Sequence, residues 1–145
     1  MADPSLSVQV GQTATFSKTV TDQDIRDFAR VSGDTQPIHL DESYAGQTRF
    51  GQRVAHGVLT LSVVSAALGT RLPGPNEDVV YLSQNLRFTR PVYVGDTITA
   101  TVEVTAVNPA RRQVTVSTTC VNQRGEGLLT GEAVVLLDPH PYSSS

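Results

Sequence analysis

The stretch from Gly57 to Leu72 constrains this chain more than any other. Val58, Leu59, Leu61, Val63, Val64, Ala66, Ala67 and Leu68 cover most of the circumference of a helix drawn on it, and no charge appears before Arg71. A helix that is apolar nearly all round must be buried on most sides. Leu72-Pro73-Gly74-Pro75 stops it, because proline removes an amide donor and clashes with a helical turn. The C-terminal half supplies a cover. Ile98, Ala100, Val102, Val104 and Ala106 alternate with Thr97, Thr99, Thr101, Glu103 and Thr105, and Val114, Val116, Thr118 and Cys120 repeat the pattern. Asn108-Pro109-Ala110-Arg111 and Gln123-Arg124-Gly125-Glu126-Gly127 read as the turns between strands, and Val79–Arg90 and Leu128–Leu137 add two more strands. Four long antiparallel strands and one such helix suggest an α+β fold in which a curved sheet wraps the helix.

The N-terminal part reads as a short strand near Thr13–Val20 followed by a helix. Thr21-Asp22-Gln23-Asp24 forms a capping-box-like start with Thr21 as N-cap, and Ile25, Phe28, Ala29 and Ser32 follow at helical spacing. Gly33 is placed to end this helix in a left-handed cap.

Length and charge narrow the function. A chain of 145 residues suggests one domain over 1–145, with loose ends at about 1–5 and 139–145. A hydrophobic fraction of 39% excludes disorder as the whole answer. A net charge of -3 without a basic block argues against a nucleic-acid partner. Residues 1–20 hold no apolar run of the kind that opens a secretory signal. The longest uncharged, mostly apolar stretch, Val54 to Thr70, is interrupted by His, Gly, Ser and Thr, so no membrane span is expected. The single Cys120 excludes an intramolecular disulfide framework and a CxxC knuckle, and fits a reducing, cytoplasmic setting. The three histidines are scattered, with His140 in the tail, so no metal set is expected.

Chemistry concentrates in Gly33-Asp34-Thr35-Gln36-Pro37-Ile38-His39. Gln36 precedes proline and should be extended, so Asp34 and His39 share one short turn. A carboxylate and an imidazole at that spacing are able to converge on one water, the carboxylate as base and the imidazole as proton relay. Spacing alone favours the plainer reading, in which Asp34 helps to cap a turn and His39 is a satisfied polar residue. Gly57 opens the apolar helix, and its amide is one of the orphan donors at the positive end of the dipole. It would serve as an oxyanion hole for a thioester carbonyl, or simply let the chain turn. His56 reads as structural. Ser65 on the helix either bonds the preceding turn or helps to aim Asp34 or His39, and Ser62 competes for that role.

Three segments carry a family resemblance. Phe28-Ala29-Arg30-Val31-Ser32-Gly33-Asp34-Thr35-Gln36-Pro37-Ile38-His39 followed by Ala45 resembles the hydratase-2 signature of MaoC-like (R)-specific enoyl-CoA hydratases. Val54-Ala55-His56-Gly57-Val58 and Leu86-Arg87-Phe88-Thr89-Arg90-Pro91-Val92-Tyr93-Val94-Gly95-Asp96 resemble its second and third segments. The family usually has Asn where this chain has Gln36. The resemblance implies a hot-dog fold and a homodimer, or higher homo-oligomer, with sheets joined edge to edge. It implies Asp34 and His39 as the catalytic pair, Ser65 as the supporting serine and Gly57 as the carbonyl-binding amide. The implied substrate is a trans-2-enoyl-CoA and the product a (3R)-hydroxyacyl-CoA, with no cofactor beyond the CoA carried by the substrate. Leu68 is a candidate floor for the acyl tail. Arg49, Arg53, Arg87 and Arg90 are candidates for the CoA phosphates. A hot-dog thioesterase and a non-catalytic acyl-CoA-binding subunit are the rival readings.

Overall fold

In a computed structural model, which describes residues 6–140, the C-terminal half is almost entirely sheet. The elements run β1 (Thr13–Thr19), α1 (Asp22–Ser32), α2 (Pro37–Leu40), α3 (Glu42–Gly46), α4 (Gly57–Arg71), β2 (Glu77–Phe88), β3 (Thr97–Asn108), β4 (Gln113–Val121) and β5 (Gly127–Pro139). The strands form one five-stranded antiparallel sheet in the order β1-β3-β4-β5-β2. β3, β4 and β5 follow one another as a meander, while β1 and β2, which flank the helical segment in sequence, become the two edges.

Alternation sets the core. Ile98, Ala100, Val102 and Val104 of β3 are fully buried, and the register places Ala100 opposite Cys120 and Val104 opposite Val116. On β5, Ala133 and Val135 fill the same face, opposite Val116 and Val114. α4 lays Leu59, Val63, Val64, Ala67 and Leu68 onto this surface. Each such aliphatic side chain contributes about 1.5–3 kcal/mol on burial. Cys120 lies in this core, where burial pushes its thiol up to about 12. Gly131 marks a close crossing: a Cβ there would sit 2.1 Å from the Asn85 carbonyl oxygen on β2.

α4 differs from expectation on its other side. Val58 is 58% exposed, and Ser62, Ser65 and Gly69 are exposed with it. The sheet wraps one face of the helix, so the apolar circumference read from sequence is covered only in part. The expected loose C-terminal end is also corrected at its start. Pro139 pairs with Glu77, and the His140 amide donates to the Asn76 carbonyl at 2.8 Å. The other residues expected to be loose, 1–5 and 141–145, lie outside the described residues. Among the described residues, no helix is long and apolar enough to cross a membrane.

Candidate active site

The local sequence explains how the site begins. The Thr21 hydroxyl accepts from the Asp24 amide at 3.0 Å, and the Asp24 carboxylate accepts from the Thr21 amide at 2.9 Å, a complete capping box. α1 ends at Gly33, left-handed at φ 83°, with its amide on the Ala29 carbonyl. Gln36 is extended (φ -54°, ψ 137°), as Pro37 requires. Pro37 then opens α2, a single helical turn not evident in the sequence, and His39 sits on it. This path brings the Asp34 Oδ2 to 3.8 Å from the His39 Nε2.

The two partners are held differently. His39 is 7% exposed, and its Nδ1 lies 2.7 Å from the Val54 carbonyl oxygen. A carbonyl only accepts, so Nδ1 carries a hydrogen, and in the neutral ring Nε2 is left with its lone pair toward Asp34. Arg53 Nε donates to the His39 carbonyl at 2.7 Å, and Arg53 Nη1 reaches Asp22 at 2.6 Å and Glu42 at 3.6 Å. His56 stacks on His39 with ring centroids 3.7 Å apart, and the Phe28 ring packs tilted against His56 at 4.9 Å. The Asp34 side chain, by contrast, is 40% exposed. Gln36 Nε2 donates to both its oxygens, at 3.0 and 3.2 Å, and the Gln36 amide adds a third bond at 3.3 Å. The Gln36 side chain is the main reason the Asp34 carboxyl lies below the usual range, with weaker help from His39 and His56. Asp34 therefore stays ionised at neutral pH.

Asp34, His39 and His56 offer ligand-type atoms all within 4.8 Å of one another, so two of the histidines are neighbours and not scattered as expected. The donor set suits a metal poorly. Stacked rings point their in-plane lone pairs side by side, not at a common centre, and His56 Nε2 lies 2.9 Å from the Asp34 main-chain oxygen, to which it donates.

α4 starts beside this pair. His56 is its N-cap without a side-chain capping bond, and the Gly57 amide meets no protein acceptor among the described residues. A Cβ at Gly57 would come within 3.1 Å of the Phe88 ring, so glycine lets β2 and the helix start lie close. Gly57, Phe88, Phe50, Arg49 and Arg90 share the lining of a cavity of about 340 Å³. Arg49 lies over the Phe50 ring, and Arg90 donates to the Gly127 carbonyl.

The other expected residues separate. Arg53 is 4% exposed, with Nε on the His39 carbonyl, Nη1 on Asp22 and Glu42, and Nη2 buried without a partner among the described residues, so burial keeps it from an open phosphate site. Arg87 lies apart from Gly57, on a different concavity with Asn85 and Thr130. Leu68 is 1% exposed in the core. Ser62 bonds the Leu59 carbonyl, whereas Ser65 is exposed and bonds nothing among the described residues, Asp34 and His39 included. The sequence reading missed the holding roles of Gln36, Arg53 and His56. The only sequence signal for them is an arginine and a histidine set just before an uncharged helix.

A polar pair at the end of a helix wrapped by an antiparallel sheet defines a hot-dog protein with a built site. The MaoC like domain family matches residues 7–124, and the chain belongs to it. It is 46% identical over 130 residues to an (R)-specific enoyl-CoA hydratase of Rhodospirillum rubrum, covering 90% of this chain and 88% of that one. It is 44% identical to a 3-hydroxybutyryl-CoA dehydratase of Methylorubrum extorquens, over 88% of this chain and 80% of the relative. The unliganded R-hydratase of Pseudomonas aeruginosa superposes with a TM-score of 0.84 at 41% identity, covering 92% of this chain and 84% of that one.

Proposed function

We propose that this chain adds water reversibly to trans-2-enoyl-CoA, giving (3R)-hydroxyacyl-CoA. The observation that carries the reading is the 3.8 Å gap between Asp34 Oδ2 and the bare lone pair of His39 Nε2, beside the unclaimed Gly57 amide. Two acceptors at that separation hold one water by its two O–H bonds. Its oxygen lone pair is then free to attack C3 of the enoyl thioester. As the C–O bond forms, the pair takes a proton from the water, and electron density moves to the thioester oxygen. There the Gly57 N–H and the positive end of α4 stabilise it. Proton return to C2 completes the addition. No electrons leave the substrate, so the reaction itself requires no redox cofactor.

Arg49 and Arg90 flank the cavity that contains Gly57 and are assigned to the CoA phosphates, with Phe50 and Phe88 along the approach. Leu68 and Ser65 remain proposed for the acyl floor and the supporting hydroxyl. Ser65 lies on the open face of α4, and β2 is an unpaired edge with Val80 40% and Leu82 47% exposed. A second copy joined edge to edge would cover both, and sedimentation of the purified chain as a dimer tests this. A reduced, buried Cys120 agrees with residence in the cytoplasm.

The direct test is crotonyl-CoA with the purified protein. Loss of enoyl absorbance with a 3R product is expected, without release of free CoA, and the Asp34→Asn variant should be nearly inert. Release of CoA, a 3S product or normal turnover by that variant would overturn the assignment.

A further inference from the structure

We infer that His56 is a positioning residue, fixing the main chain of Asp34 and the ring plane of His39 at the same time. The inference rests on the hydration reading, because it requires those two side chains to act on one water.

His56 is 2% exposed, yet nothing in the mechanism above uses it. Its Nε2 donates to the Asp34 carbonyl at 2.9 Å. Its ring covers a face of His39 at 3.7 Å with 23° between planes, and the Phe28 ring touches it at 4.9 Å. Its Nδ1 is buried without a partner. A second hydrogen there would be an unsatisfied buried N–H carrying charge, which is costly. The groups facing His56 are the Asp34 carboxylate, which draws a proton, and His39, which repels one. Burial, with His39 acting in the same sense, outweighs the bond to the Asp34 carbonyl and the Asp34 carboxylate and pushes His56 down, so it stays neutral.

Position in the chain adds a second consequence. His56 is the N-cap of α4, next to Gly57. One side chain therefore ties the water-holding pair to the amide that meets the thioester oxygen. The separation between nucleophile and oxyanion donor is set through this ring. A shift of about 1 Å in such a constellation costs up to roughly 10²-fold in rate.

Two variants divide the roles. His56→Phe keeps the stacked cover and loses the bond to the Asp34 carbonyl. His56→Gln keeps an amide donor at about the reach of Nε2 and loses the stacked cover over His39. With crotonyl-CoA, His56→Phe is expected to lower kcat about tenfold with KM within about twofold. His56→Gln, which still ties the Asp34 carbonyl, is expected to lower kcat less, by roughly threefold, with KM likewise within about twofold. Thermal melting gives the folded fraction, to which each rate is normalised. If both normalised variants match the wild type in kcat, His56 only fills space and the inference fails alone. If Asp34→Asn turns over normally, the hydration reading fails and the role of His56 falls with it.

Discussion

The meander β3–β5 and the segment from α1 to the start of α4 are built on opposite principles. The meander is held by ladder hydrogen bonds between neighbours in sequence and by side chains of one kind on one face. The helical segment holds its shape through side chains that reach main-chain atoms far along the chain: Arg53 to the His39 carbonyl, His39 to the Val54 carbonyl, and His56 to the Asp34 carbonyl. Periodic packing makes a rigid wall whose individual residues are replaceable by similar ones. The polar segment has little redundancy, and each bond aims a particular atom. Changes in the first region should therefore register in stability, and changes in the second in rate.

The sharpest test of that division is His39→Ala. It removes the proton-handling ring and should cut turnover by about 10²–10⁴-fold, with a smaller loss of stability, from the orphaned Val54 carbonyl, than a core truncation causes. Loss of folding alongside activity would break the contrast. Ile98→Ala, in the wall, should do the reverse. It truncates a fully buried side chain and should cost about 2–5 kcal/mol in urea denaturation, with kcat per folded molecule unchanged. Gly131→Ala should destabilise by about 1–3 kcal/mol, because its Cβ has no room beside the Asn85 carbonyl. Wild-type stability there would mean that β2 yields more readily than the register implies.

Gln36→Ala makes the gentlest change. Removing the amide lets the Asp34 carboxyl return upward toward its usual range. A carboxyl held low in the folded chain is ionised above that low value and becomes protonated as pH falls through it. Without Gln36 protonation begins at higher pH, and the acid limb of kcat/KM should move up. An unmoved limb would show that Gln36 does not govern Asp34.

The same division explains what could be read from the sequence. The threonine and aliphatic alternation at Thr97–Ala106 announces a strand with one buried face, and Thr21 and Gly33 bracket α1 because capping chemistry is local. The Asp34 and His39 convergence was legible because Pro37 restricts the short span between them. α2 and α3 were missed because one or two turns carry no apolar period. The shift in pairing between Tyr81 and Ser83 leaves no mark in composition. Arg53 looked like a solvent-facing cation because nothing local reveals that Asp22 and the His39 carbonyl await it. Its place is fixed by tertiary packing, as is the stacking of His56 on His39.

The strand order also carries a consequence for synthesis. Thr13 of β1 faces Glu103 of β3, so β1 meets its ladder partner only after about ninety further residues have been made. The segment with Asp34 and His39 is likewise translated before the wall on which it docks. The β3–β5 hairpins close short loops, and short loops form first. The meander is thus able to close through short loops alone, whereas β1 and the chemistry-bearing segment must wait for a wall made after them.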